Sequence, residues 1–320
     1  MPATTVRERE QATRAYHQTL TRLGLAAHTG VLNLWRTAEA VPSAQTQRRI
    51  VATVLGNSYS VTARLAILYF QLLRAMSVGS VAPADGWPAS PVTVRTLREM
   101  FARLTLGEYE PGEMAEDYRK LGLDRGAGGS LAARLWQARL KRSLDYLTGR
   151  LDQVNDDDDL DPDGLGDWLA DEVERIAMDG ARDLIHDAVR QDRTALGWVR
   201  VSKTGTPCGF CSMLISRGLE FKYRSEKTAT GRSREGPDQQ GYDGSQYHRK
   251  CRCIAVPVWD ADEYETSDQF TTNRELADAW QTVTRGESGA DARQVWRNWI
   301  DKRNAPLREA AKTAAERGDN

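Results

Sequence analysis

Disulfide chemistry is largely missing from this sequence. Only four cysteines occur in 320 residues, and all lie between positions 208 and 253, leaving the 207 residues before them and the 67 after with none. A disulfide framework spread along the chain is excluded. The first residues, with Arg7, Glu8, Arg9 and Glu10, lack the apolar segment and small-residue cleavage site of a secretory signal, so a reducing compartment is expected. An excess of one charge is missing too: 44 Lys and Arg stand against 45 Asp and Glu, for a formal net charge of -1. The whole-chain balance therefore selects no partner, nucleic acid or membrane. Long apolar runs are also absent. The best candidate, Val61 to Phe70, is interrupted by Arg64 and falls short of the roughly 20 residues that span a bilayer, so it reads as core.

What remains is an ordinary globular composition, 40% apolar and 28% charged with nine Trp, in a chain long enough for two or more packing units. From Val6 to about Val154 the periodicity is helical. Ile50, Val54, Leu65, Leu68, Leu72 and Met76 recur mostly at three- and four-residue steps, and Leu131, Leu135, Leu140, Leu144, Leu147 and Leu151 repeat the pattern after a break at Gly126–Gly129, with Ser130 as N-cap. Four to six helices are expected there. Asn155–Gly164 joins a run of acids to Pro162 and Gly164 and reads as a solvated linker; its Asp159-x-Asp161-x-Asp163-Gly164 start resembles a calcium loop, but loop position twelve is Ala170. Leu165, Leu169, Val173, Ile176, Leu184 and Ala188 predict one long helix ending before Gly197, with His186 on a wet basic face between Arg182 and Arg190.

Between Gly197 and Trp259 the period shortens. Trp198–Val201, Leu219–Tyr223 and Ile254–Trp259 read as short strands, the last at an edge because of Pro257. After Asp260 helices return, with Leu276, Trp280 and Val283 on one seam and Val295, Trp296, Trp299, Ile300 and Leu307 on another. The expected fold class is mainly α: a helical N-terminal half (1–154), an acidic linker (155–164), a long helix leading into a small zinc-stapled β module (165–259), and C-terminal helices (260–320).

The cysteines carry the chemistry. Cys208-Gly209-Phe210-Cys211 sets two thiolates at knuckle spacing, and after thirty-six intervening residues His248, Cys251 and Cys253 offer three more donors. Two short ligand groups joined by a long loop is the layout of a tetrahedral structural zinc site, with iron less often suited to this donor set. Five candidates exceed four positions. Cys208, Cys211, His248 and Cys251 are one choice, and Cys253 in place of Cys251 is a near-equal alternative, since alternating strand residues face opposite sides unless the strand begins after 253. The loop 224–247 contains no Val, Ile, Leu, Met or Phe and cannot pack a core. Structural zinc, with apparent binding energy on the order of 10–16 kcal/mol, would suffice to close it. A catalytic zinc needs an open position and a placed base, which nothing here fixes.

From Gly197 to Val258 eleven Lys or Arg face five acids. Arg232, Arg234, Arg249, Lys250 and Arg252 are thus candidate phosphate contacts, although aromatic residues are not interleaved with them as stacking platforms.

The order Trp198-Val199-Arg200-Val201, Cys208-Gly209-Phe210-Cys211-Ser212-Met213-Leu214, Ser216-Arg217-Gly218 and His248-x-x-Cys251-Arg252-Cys253 resembles the MuF-like minor head proteins of tailed phages and prophages, the actinobacterial type most closely. The resemblance spans about Leu165 to Trp259. Arg249 stands where that family usually has Pro, and Ser202–Thr206 lacks the Asp often found before the first cysteine. The resemblance implies a low-copy structural component of the phage head, located at the portal vertex of the virion and in host cytoplasm during assembly. Its partners would be the portal protein, the major capsid protein and packaged DNA, and it would have no enzymatic activity. In keeping with that, no Ser/His/Asp or Cys/His arrangement appears outside the metal cluster, since His17 and His28 lie in a helical segment without a nucleophile nearby.

Overall fold

A computed structural model of the chain describes residues 5–37, 42–80, 93–108, 131–155, 162–202, 205–220, 247 and 251–316. The chain divides into two compact units, residues 1–195 with 237–251, and residues 196–236 with 252–320.

The described part of the first unit is a helical bundle. α1 (Val6–Arg36) starts on a reciprocal cap in which the Thr5 hydroxyl accepts the Glu8 N–H and the Glu8 carboxylate accepts the Thr5 N–H. α2 (Ala44–Val78) and α3 (Val94–Leu106) begin on Ser43 and Thr93 and end on Gly79 and Gly107, each glycine in the left-handed conformation. α4 (Leu131–Asn155) and α5 (Pro162–Gln191) complete the unit. Proline opens α5, where its missing N–H has no intrahelical partner to lose. Residues 156–161 of the expected linker lie outside the described residues, but Gly164 is already helical and Ala170 is fully buried in α5.

α2 is long and apolar enough to pass for a membrane span by composition. It is instead the central helix of the unit, with every residue from Leu65 to Met76 buried. Its N-terminal half joins Val31 and Trp35 of α1, Leu147 and Leu151 of α4, and Leu165, Leu169 and Val173 of α5 in one core. Each fully buried Leu of this kind contributes about 1.5–3 kcal/mol by leaving water. Two glycines of α5 let large rings lie on the helix: a Cβ at Gly166 would fall 3.0 Å from the Trp35 indole, and one at Gly180 2.7 Å from the Tyr59 ring. Tyr16 of α1 stacks on Tyr69 of α2 with centroids 4.0 Å apart, and the Tyr69 hydroxyl meets Thr13 Oγ1 at 3.0 Å.

The second unit is built on a two-stranded antiparallel sheet. β1 (Gly197–Val201) pairs with β2 (Ile254–Val258) in the register Gly197↔Val258 through Val201↔Ile254. Every residue of β2 is buried, and Pro257, which cannot donate to a ladder, costs nothing in so narrow a sheet. Around it lie α6 (Gly209–Ile215), α7 (Ala261–Thr266), α8 (Thr271–Val283) and α9 (Gly289–Glu316). Trp296, 1% exposed, donates its indole N–H to Ser212 Oγ and packs between Trp280 and Trp299. Asn273 Nδ2 donates to Arg200 O at 2.9 Å, fixing α8 on β1.

The mainly helical architecture follows the expectation, with four helices before residue 155 among the described residues. Three local readings are corrected. Gly218–Glu220 form a turn of 3-10 helix, not the start of a strand, because Gly218 is at φ +54 and a Cβ there would meet the Tyr264 hydroxyl at 2.5 Å; residues 221–223 lie outside the described residues. His186 does not face water: it is 3% exposed, with its ring centroid 6.4 Å from that of Tyr247. Leu307 is 45% exposed and leaves the seam formed by Trp296 and Ile300.

Candidate metal centre

The first cysteine pair is set by a turn and a helix cap. Gly205, at φ +64, reverses the chain, and α9 holds the next residues: Arg303 Nη1 donates to Gly205 O at 3.0 Å and Asn304 Nδ2 to Pro207 O at 2.7 Å. Cys208 then caps α6, its Sγ accepting the Cys211 N–H at 3.4 Å. The residue between cap and first turn must be small, since a Cβ at Gly209 would sit 3.1 Å from Cγ of Arg297 on α9.

The second group approaches from the other end of the long loop. β2 starts at Ile254, one residue after Cys253, so strand alternation does not separate Cys251 from Cys253. The Sγ atoms of Cys211, Cys251 and Cys253 all lie within 4.8 Å of one another, and none of these residues is more than 5% exposed. None of the four cysteines is in a disulfide. Tetrahedral zinc, with bonds of about 2.3 Å, sets neighbouring sulfurs about 3.8 Å apart. The trio is therefore within a small side-chain adjustment of a metal shell, and its soft donors suit zinc or iron over magnesium or calcium.

Cys208 lies beside the trio in sequence and holds its place as a helix cap. His248, Arg249 and Lys250 lie outside the described residues, as do Arg232, Arg234 and the loop 224–246; Arg252 is half-buried between the two cysteines of its pair.

One anchor of the second group was missed in the sequence. Arg182 of α5, fully buried, donates to the Cys251 carbonyl and to Asp179 Oδ1 at 2.8 Å, and its guanidinium lies 4.0 Å from the centre of the Tyr247 ring. Burial pushes the Asp179 carboxyl above its ordinary range, against the opposing pull of Arg175 and Arg182. In sequence Arg182 looks solvated because its neighbours are polar. The usable clue is its four-residue step from buried Met178, in line with the apolar stripe of α5.

The VG15 protein family model matches residues 111–283, just over half of the chain and inclusive of all four cysteines. The chain is also similar to the Gene 15 protein of Mycobacterium phage L5, 27% identical over 129 residues that cover 32% of this chain and 44% of that protein. The Gene 15 protein of Mycobacterium phage D29 is 28% identical over 109 residues, 29% of this chain and 39% of that protein. The matched regions thus span less than half the length of these curated relatives. No solved structure matches the chain.

Proposed function

The chain belongs to the VG15 protein family, and on that premise we propose that it is a structural protein of a tailed-phage or prophage head, a minor head component of the MuF-like type at the portal vertex. Its relatives among phage gene products support the phage setting. The observation that carries the finer reading is the burial of Cys211, Cys251 and Cys253 within 4.8 Å of one another. In the MuF-like pattern the same two cysteine elements close a variable loop, and here they converge.

The ion is zinc, held by the three clustered thiolates and a fourth donor, Cys208 or His248. Four protein donors leave no position for a reacting water, so the site is architectural and the protein is not an enzyme. The zinc fixes both ends of a loop that has no Val, Ile, Leu, Met or Phe to fold around, and presents that loop to a neighbour in the head. The portal protein and the major capsid protein are the proposed partners, in head assembly and in DNA packaging or ejection. Direct contact of Arg232, Arg234, Arg249, Lys250 and Arg252 with packaged DNA is a second reading that rests on their charge; all but Arg252 lie outside the described residues.

The reading is tested by cross-linking mass spectrometry on purified particles and proheads from a host that produces this chain. Cross-links from this chain to the portal protein are expected. Particles complete in capsid and portal proteins but devoid of this chain would overturn the assignment.

A further inference from the structure

A second group of metal-type donors lies within the helical unit. His28 on α1, and Asp171 and Glu174 on α5, each offer one ligand atom, and these three atoms lie within 4.8 Å of one another. His28 Nε2 stands 3.4 Å from Asp171 Oδ1. We propose that His28, Asp171 and Glu174 form a second cation site that takes a divalent first-row ion of the Mn2+ or Fe2+ kind, chemically distinct from the thiolate centre.

The helices are arranged for it. Residues 171 and 174 are one turn apart and share a face of α5, so both carboxylates reach the same neighbour. Gly24 precedes His28 by one turn on α1, and a Cβ there would fall 3.3 Å from Glu174 Cγ and 2.9 Å from Met178 Sδ. The missing side chain thus lets α1 approach α5 closely enough for its histidine to meet carboxylates on the facing helix. Two carboxylates one turn apart repel, and a divalent ion between them turns that repulsion into coordination.

Burial is graded across the group. Glu174 is 4% exposed and forms the floor, while Asp171 and His28 are half-buried, which leaves a solvent side where waters complete the shell. One imidazole with two carboxylates is an oxygen-rich donor set. It favours Mn2+ or Fe2+, whereas the cysteine cluster favours thiophilic ions. Facing helices supplying carboxylates and a histidine is a recurring way for bundles to hold such ions.

Mn2+ is the discriminating probe because thiolates compete poorly for it. The full chain is titrated with Mn2+ while the six-line electron paramagnetic resonance signal of the free ion is followed. Loss of free signal equivalent to a single ion per chain is expected, and Mn2+ should raise the unfolding temperature as a native-state ligand does. Asp171→Asn and His28→Ala should weaken this binding at least by the roughly 10–100-fold that loss of even an outer-shell partner costs. Cys211→Ser should leave it intact.

A readout on the unmutated chain keeps the test independent of variant folding. Substoichiometric Mn2+ should broaden the imidazole resonances of His28 before those of His17 and His186. No binding at millimolar Mn2+, binding unchanged in both ligand variants, or broadening confined to the acidic 156–161 segment would each overturn the proposal.

Discussion

A methyl group added at Gly180 would lie 2.7 Å from the Tyr59 ring, whereas at Gly149, on the exposed face of α4, it would meet nothing within 4 Å. Gly180→Ala is therefore expected to destabilise the first unit by about 1–3 kcal/mol through overpacking. Gly149→Ala should stabilise it by up to roughly 1 kcal/mol through helix propensity. Urea unfolding of the two variants checks both, and equal shifts would contradict the packing described. Tyr264, packed on Gly218, has its phenol pushed up from 10.0 to about 12 by burial. Its folded pKa lies above its unfolded one, so its contribution is complete below pH 10 and is lost as pH rises toward 12. Tyr264→Phe should flatten alkaline loss of stability in that window, followed by near-ultraviolet circular dichroism. At this scale the cysteines, their spacing and the loop they bracket were legible in the sequence. The convergence of Cys251 with Cys253 was not, because it depends on β2 beginning at Ile254 and on no local pattern.

Among elements, α5 joins the main core to the Cys251 segment. It contributes Leu165, Leu169, Ala170, Val173, Ile176 and Ala177 to the main core and carries the Arg182 clamp on Tyr247 and the Cys251 carbonyl. Leu169→Ala should cost about 2–5 kcal/mol, the range for deleting a fully buried leucine. Arg182→Lys keeps a charge beside Asp179 but cannot also span the Cys251 carbonyl and lie flat on the Tyr247 ring. Transfer of metal from that variant to a chromophoric chelator is expected to be faster by on the order of 10–100-fold. An unchanged rate would show that the clamp plays no part in holding the second ligand group.

The long helices were readable because a 3.6-residue apolar stripe needs only local sequence, although α5 begins at Pro162, inside the stretch read as linker, because proline suits a first helical position as well as a break. Leu219 and Glu220 misled because alternation there competes with Gly218 at φ +54, a backbone choice fixed by the close approach of Tyr264. His186 and Arg182 misled because polar residues on an otherwise apolar helix look wet until a partner segment covers them. Here that segment includes Tyr247, far along the chain.

For the whole molecule, an ion held by the cysteine trio would make metal binding and the folding of the second cysteine group a single event. Removing the ion should lower stability steeply, since a native-state ligand stabilises in proportion to the logarithm of its excess over Kd. Whether Cys211, Cys251 and Cys253 hold a structural zinc ion is measured most directly by elemental analysis with X-ray absorption spectroscopy on the full chain purified under reducing conditions. A single zinc per chain in a sulfur-dominated, four-coordinate shell, lost in Cys211→Ser and Cys253→Ser, is the predicted result. A folded chain that carries no transition metal would contradict it.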